Sequence, residues 1–336
     1  VVVASRALTG TDPGELRSMA MRILVTGAAG FIGSHVCTRL LAGGHDVVGI
    51  DDLSTGDASN LDGIDVRLIT GSILDPDALT VATAFDGAGA DGIVHLAAIP
   101  SVPRSVDNPV ASHDANATGT LRVLEAARQL DDPIVVLASS SSVYGANPTL
   151  PKHEGLATQP MSPYAVSKLA AEQYAMAYQH CYGLRTLAFR FFNVFGPRQA
   201  PGHAYAAVIP AFVHAALLGE PLSVHGDGTQ SRDFTYVGTV SEVIVDAVTR
   251  GVTNPTPVNL AFGSRVSLLD VIERLRGLID VPITAEHTDS RPGDVPHSQA
   301  DNTLLRSLFP DVEPVALDDG LAATVAWMRT WLTAST

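Results

Sequence analysis

Tyr164 and Lys168 stand four residues apart in Ser162-Pro-Tyr-Ala-Val-Ser-Lys-Leu-Ala-Ala-Glu172. Their side chains are of types that can handle a proton together. Pro163 suits a first helical turn, and the Ala, Leu and Glu that follow favour its continuation. On a helix, residues i and i+4 share one face. A positive charge ~4 Å from a phenol is worth about 4 kcal/mol at an effective dielectric of ~20. That is enough to bring a tyrosine toward deprotonation near neutral pH and make it a reversible base. The same spacing also occurs on any amphipathic helix with an exposed lysine, so the surrounding elements must decide. Ser139-Ser-Ser-Ser142, after an apolar run at 134–138, adds hydroxyls to the inventory, though serines after a strand also read as turn chemistry.

The elements that would position these groups begin at residue 21. Met21-Arg-Ile-Leu-Val-Thr26 reads as a buried strand, followed by Gly27, Gly30 and Gly33 and a helix to about residue 41. Strand, glycine turn and helix opening together cradle phosphates. The glycines let the backbone approach, and the helix N-terminus offers free N–H groups and positive dipole. The spacing is GxxGxxG rather than GxGxxG. A second strand at 46–50 ends in Asp51-Asp52. An acid there can accept both ribose hydroxyls of an adenosine and would repel a 2′-phosphate, which favours NAD over NADP. Apolar runs at 66–69, 92–96, 134–138 and 186–190 then alternate with helical stretches at 75–86, 114–130 and around Tyr164.

Such alternation predicts an α/β protein with a Rossmann-type, doubly wound parallel sheet. Ligands would sit beyond the carboxyl ends of its strands, where Gly27, Asp51, Ala97, the serine run and Asn193 would gather. After about residue 190 the elements become shorter and mixed. Helices are expected at 208–218, 240–250 and 268–278, and strands at 222–225 and 257–260, separated by turns such as Gly226-Asp-Gly228. Residues 21–190 are therefore expected to form the cofactor-binding domain. Residues 191–336 would form mainly a smaller mixed α/β substrate lobe, interleaved with the end of the sheet. Residues 1–20 show no sustained periodicity and no signal-peptide pattern, and are expected to be an extension upstream of a start at Met19 or Met21.

Composition narrows the partners. A net charge of −14 without a basic block disfavours nucleic acid, and makes individual arginines informative about anionic ligands. The 46% hydrophobic content is spread evenly, with no run of membrane-spanning length. Cys37 and Cys181 lie in separate predicted helices, and the histidines lack metal-ligand spacing. No metal site or disulfide framework is indicated, and a cytoplasmic location is the expectation.

The ordered set of motifs resembles the extended short-chain dehydrogenase/reductase superfamily, and within it the nucleotide-sugar 4-epimerases. It comprises Thr26-Gly-Ala-Ala-Gly-Phe-Ile-Gly33, Asp51-Asp52, His95-Leu-Ala-Ala98, Ser139 to Gly145, Tyr164-xxx-Lys168, Arg190-Phe-Phe-Asn193, Gly226-Asp-Gly-Thr-Gln-Ser-Arg-Asp-Phe234 and Arg291-Pro-Gly-Asp294. Ser101-Val-Pro-Arg-Ser105, Ala204-Tyr-Ala-Ala-Val-Ile-Pro210 and Asp294-Val-Pro-His-Ser298 bring it nearest to the bacterial UDP-N-acetylglucosamine 4-epimerases. The resemblance implies that Tyr164 takes the C4-hydroxyl proton while the C4 hydride passes to NAD. A 4-ketopyranose turns over in the pocket and is then reduced from its other face. Lys168 would hold the nicotinamide ribose and lower the Tyr164 pKa. The catalytic serine would be Ser140, with Ser141 beside it.

By the same resemblance, cofactor contacts come from Gly27, Gly30, Phe31, Ile32, Gly33, Asp51, Asp52, Ser54, Thr55, Gly56, Ser72, Ile73, Leu96, Ala97, Ala98, Asn116 and Ser139, besides Tyr164 and Lys168. Substrate contacts come from Ser101, Val102, Ser140, Tyr164, Asn193, Ala207, Val208, Val224, Arg232, Arg291, Asp294 and Ser298. Asn193, Arg232 and Arg291 would meet the diphosphate and Asp294 the uridine ribose. A small residue at Ser298 would leave room for a C2 N-acetyl group. Residues 140–144 hold no Asp or Glu, which disfavours sugar dehydration. UDP-glucuronate 4-epimerization, a cofactor-exchanging reductase and an idle NAD sensor remain as alternatives. A homodimer through paired helices is implied by the resemblance alone.

Overall fold

Ile23, Leu24 and Val25 are completely buried because the strand that carries them has neighbours on both edges and helices over both faces. The computed structural model describes residues 20–201, 207–289 and 296–334. Its first half runs β1 (Arg22–Thr26), α1 (Phe31–Ala42), β2 (Asp46–Asp51), β3 (Arg67–Thr70), α2 (Pro76–Ala84) and β4 (Gly92–His95). Then come α3 (Val102–Asp107), α4 (Pro109–His113), α5 (Gly119–Ala127), β5 (Ile134–Ser140), α6 (Pro163–Tyr182) and β6 (Arg185–Phe191). The strands align as β3-β2-β1-β4-β5-β6, with Val258–Leu260 as the seventh, and every pairing in this sheet is parallel. The order reverses between β1 and β4, which opens a crevice at their carboxyl ends. The doubly wound sheet expected from the alternation is the fold observed.

Two differences lie beside that crevice. The helix expected at 114–130 begins earlier, at Pro109, and widens into a π-turn over Asp114–Thr118 before α5. Gly119 follows the wide turn, and a Cβ there would lie 2.5 Å from Ile73 Cδ1, so the helix is pressed against the β3 side. The short α3 has too few residues for a periodic signal. Local capping makes it: Ser101 Oγ accepts from the Arg104 N–H at 3.2 Å, and a proline stands in its first turn.

The chain after residue 190 serves two cores. Phe195, Ile209, Phe212, Val213, Leu222, Val271, Leu321 and Met328 form a core of their own. Helix Val237–Arg250 instead turns Val240, Val243, Ile244, Ala247 and Val248 onto the parallel sheet, beside Val25, Val36, Val94 and Val136. Leu305, Phe309 and Val312 join that same core. Periodicity shows that a helix has an apolar face but not which layer the face meets.

Gly33 sets how closely α1 can follow the first turn. A Cβ there would lie 2.0 Å from the Gly27 carbonyl oxygen, whereas one at Gly30 would lie 3.1 Å from it. Gly33→Ala is therefore expected to cost ~3 kcal/mol or more. In a thermal melt this reads as a fall on the order of 10 °C, with a much smaller fall for Gly30→Ala.

Candidate active site

α6 starts where the sequence says it should. Ser162 Oγ accepts from the Ala165 N–H at 3.1 Å, Pro163 opens the first turn, and Gly183 ends the helix at φ 69°. Tyr164, Lys168 and Glu172 consequently follow one another up a single face, against the end of β5. Lys168 is 5% exposed, and its Nζ donates to the Ala138 carbonyl at 2.9 Å. Ser140 Oγ accepts from the Ser142 N–H at 3.2 Å and from Ser142 Oγ at 2.9 Å. The Ser140 hydroxyl adjoins the Tyr164 phenol closely enough to lower its pKa.

The electrostatics differ from the sequence expectation in one respect. Burial pushes the Tyr164 phenol above its ordinary range, and the Ser140 hydrogen bond pulls it only partly back. Lys168 does not bring it down, because its ammonium is bonded to Ala138 O and is itself lowered to about 8 by burial. The Lys168 charge is felt at His95, which burial and then Lys168 hold down at about 3. Neutral His95 bridges Thr26 Oγ1 at 2.8 Å and Thr120 Oγ1 at 2.9 Å, and so joins β1 and β4 to α5.

These groups open onto a cavity of about 1420 Å³ that also takes in the glycine turn. Gly27 sits there at φ 70°, where a non-glycine residue is strained. No side chain caps the start of α1 and no acid stands in its first turn, so its N–H groups and positive dipole are left for an anion. Gly27, Gly30, Phe31, Ile32 and Gly33 line this part of the cavity, with Asp51, Asp52, Ser54 and Thr55 nearby. Asp51 is 8% exposed and takes the Ala29 N–H at 3.0 Å and the Leu53 N–H at 2.9 Å. Burial raises its pKa and those two N–H groups oppose the rise. Ser72, Ile73, Leu96, Ala97, Ala98 and Ser139 complete that wall. An uncapped helix start, a glycine turn and a fixed acid at the end of β2 fit a dinucleotide.

On the other side the cavity meets Ser101, Val102, Asn193, Ala207, Val208 and Arg232. The Asn193 amide groups hold the Asp233 carbonyl, with N donating at 3.1 Å and Nδ2 at 3.4 Å. Arg232 Nη1 donates to the carbonyls of Ser231 at 3.0 Å and Pro296 at 3.2 Å, which aims the side chain along the cavity wall. Arg291 and Asp294 lie outside the described residues, as does the 204–206 part of the Ala204 motif.

Five expected contacts are placed differently. Val224 is fully buried in the second core, because side chains alternate along Leu222–His225 and the cavity receives Ser223 and His225 instead. Asn116 is also fully buried. Its Oδ1 accepts from the Ile99 N–H at 2.8 Å, and its Nδ2 donates to Ser167 Oγ at 2.9 Å. It therefore braces the loop after β4 from behind and does not face the cavity. Ser141 begins the tight turn Ser141–Tyr144 and is not on the wall. Gly56 lies behind Asp51: a Cβ there would come within 2.9 Å of both carboxylate oxygens. Ser298 is half-buried off the wall, its N–H donating to Ser231 O at 3.0 Å. Arg104, Arg198 and Gln230 reach the cavity without having been anticipated. Only the Ser101-Val-Pro-Arg-Ser105 motif carried a signal for Arg104.

Residues 23–261 match the family described as the NAD dependent epimerase/dehydratase family. A UDP-glucose 4-epimerase from Mycolicibacterium smegmatis is 39% identical over 317 residues, spanning 92% of this chain and 99% of that protein. The chain belongs to this family, on its nucleotide-sugar 4-epimerase branch. NAD is its cofactor, as Asp51 and the glycine turn led us to expect. A solved UDP-N-acetylglucosamine 4-epimerase from Methanobrevibacter ruminantium, in complex with UDP-N-acetylmuramic acid, is 34% identical at a TM-score of 0.86, covering 93% of this chain and 99% of that one. A UDP-glucuronic acid 4-epimerase from Bacillus cereus, in complex with UDP-glucuronic acid and NAD, is 31% identical at 0.83, covering 93% and 100%. Among the described residues no helix is long and apolar enough to cross a membrane.

The lowered pKa of Lys168 has a stability consequence. Its folded value of about 8 lies below the ordinary 10.5, so at neutral pH the folded chain carries a buried charge it would rather lose. The penalty is full below pH 8 and is relieved as pH rises toward 10.5, where the unfolded chain also gives up its proton. Lys168→Met should therefore raise the unfolding free energy of cofactor-free protein at pH 7 by up to about 3 kcal/mol. Denaturant melts at several pH values test this; the gain should shrink steadily on the alkaline side, and equal stabilities at pH 7 would contradict the burial penalty.

Proposed function

We propose that this enzyme interconverts C4 epimers of a UDP-hexose through a transient 4-keto sugar, accepting UDP-GlcNAc and UDP-GalNAc together with UDP-Glc and UDP-Gal. The observation that carries this reading is the meeting of Ser140, Tyr164 and Lys168 in one cavity, between the dinucleotide cradle and the Asn193–Arg232 side. Bound NAD supplies the reversible oxidant at sugar C4. Tyr164 takes the C4-hydroxyl proton and later returns it to the 4-keto oxygen on the other face. With substrate in place Ser140 would turn its one proton from the phenol to the same sugar oxygen. Arg232 and Asn193 hold the diphosphate on the far side of the cavity from the dinucleotide cradle, which lets the hexose turn while the nucleotide stays anchored.

Tolerance of the N-acetyl group is read from the small residue at Ser298, which lies off the wall itself but is pinned to Ser231, the neighbour of the cavity-lining Arg232. Its support is the resemblance to the Methanobrevibacter ruminantium enzyme, which is solved with an N-acetylated UDP-sugar, UDP-N-acetylmuramic acid. A second reading, UDP-glucuronate epimerization, is favoured by Arg104, which lines the cavity and makes no ion pair among the described residues. A homodimer is supported by the exposed Val106, Val110, Val166 and Tyr174 on α3, α4 and α6.

Incubation with UDP-Glc, UDP-GlcNAc and UDP-glucuronate, each followed by separation of C4 epimers, tests the substrate class. The first two should turn over, and turnover of glucuronate alone would favour the second reading. Tyr164→Phe should keep NAD bound while cutting turnover by ~10³-fold or more; retained turnover would remove Tyr164 from the chemistry. Ser298→Tyr should suppress N-acetylated substrates selectively, and equal loss on both sugar types would rule out its role in selection.

A further inference from the structure

One buried charged cluster takes no part in the chemistry above. Glu172 is completely buried on α6, one turn past Lys168 and two past Tyr164. Its Oε2 accepts from Ser139 Oγ at 2.9 Å and from Arg190 Nε at 2.9 Å, and its Oε1 accepts from Arg190 Nη2 at 2.7 Å. Arg190 is 3% exposed and stands opposite Ser139 in the β5–β6 ladder. Its guanidinium carbon lies 4.7 Å from the centre of the Tyr144 ring, whose hydroxyl donates to Asn259 Oδ1 at 2.7 Å. Three consecutive residues at the end of β5 are thus each held by a different turn of α6. Lys168 donates to Ala138 O at 2.9 Å, Glu172 accepts from Ser139 Oγ at 2.9 Å, and Tyr164 stands against Ser140.

A buried ion pair is poor evidence of added stability, since desolvation offsets its attraction and apolar residues of similar size often do as well. A two-pronged carboxylate–guanidinium fork is, however, directional. Side chains alternate along a strand, so turning the Ser139 hydroxyl to Glu172 sets the rotation at which β5 presents Ser140. We propose that Glu172, with Arg190 as its fixed counter-ion, is a positioning residue that sets the register of α6 on β5 and so places the Ser140 hydroxyl against the Tyr164 phenol. The inference rests on the reading that these two groups work at sugar C4. It also has an electrostatic signature. Removing the Glu172 charge, one helical turn beyond Lys168, leaves the Arg190 cation without its counter-ion, and the added positive field favours the phenolate.

The test uses NAD-loaded enzyme, with steady-state kinetics on a UDP-hexose, kcat–pH profiles and thermal melts. Glu172→Gln should lower kcat by ~10–100-fold with KM within ~2-fold, and should move the acidic limb of the profile to lower pH. Glu172→Asp keeps the charge but shortens its reach, so kcat should fall while the limb stays in place. The paired change Glu172→Met with Arg190→Met removes both charges at similar volume. If it melts like the parent, its kcat should still be low, whereas recovered kcat would reduce the cluster to packing and overturn the proposal. A Glu172→Gln variant with unaltered kcat and pH profile would overturn it as well. Should that variant fail to fold, Ser139→Ala removes the hydrogen bond to Glu172; with NAD content matched to the parent, kcat should fall ~3–10-fold, and unchanged kcat would count against the proposal. Failure of the underlying reading shows separately, as turnover retained by Tyr164→Phe.

Discussion

A buried ammonium bonded to a backbone carbonyl is the constraint on which this site depends. Lys168 Nζ reaches Ala138 O at 2.9 Å from the second turn of α6, and that contact ties the helix to the strand beside it. The surroundings that make the contact dry lower Lys168 to about 8 and push Tyr164 up. A phenol and an amine in the same pocket are thus pushed in opposite directions, each toward its neutral form, by one cause, the loss of water. Neither charged form is comfortable in the protein alone. Charge brought by a ligand therefore has large leverage over which of the two holds the proton.

The sheet and the second core divide the remaining work. The carboxyl ends of β1, β2, β4 and β5 contribute an uncapped helix start, a fixed Asp51 and the serine run. The later chain contributes Asn193, Ala207, Val208 and Arg232. It does not stand apart, since helix Val237–Arg250, strand Val258–Leu260 and the Leu305–Phe309–Val312 group return to the sheet. Asp233 braces this junction from within. Fully buried, it collects N–H donors from Gly263 at 3.0 Å, Ser264 at 3.2 Å and Ala300 at 3.0 Å, and burial lifts it to about 6. The carboxylate thereby ties the Gly263–Ser264 turn and Ala300 to the segment that carries Arg232 and Phe234.

Much of the architecture could be read along the chain because it is built from local signals. Apolar runs of strand length alternate with capped helices, and the glycine spacing, Asp51 and the Tyr164–Lys168 interval are properties of neighbouring residues. What the reading missed was non-local. Val224 and Ser223 are adjacent in sequence, and only the layer against which their strand lies says which one meets the cavity. Asn116 carries the right chemistry for a ligand, but the π-turn at Asp114–Thr118 rotates it inward to Ile99 and Ser167.

The sequence by itself determined the class of sheet, the place of the dinucleotide cradle and the helical pairing of Tyr164 with Lys168, because each follows from short-range periodicity and backbone sterics. Only the tertiary structure decided the direction of the Tyr164 pKa, since the desolvation that raises it comes from segments far apart in the chain. It also gave Lys168 a carbonyl rather than the phenol as its partner, and it joined Glu172, Ser139 and Arg190, spread over three elements, into one fork. Depth from water and the meeting of distant side chains are properties of packing, and no local pattern encodes them.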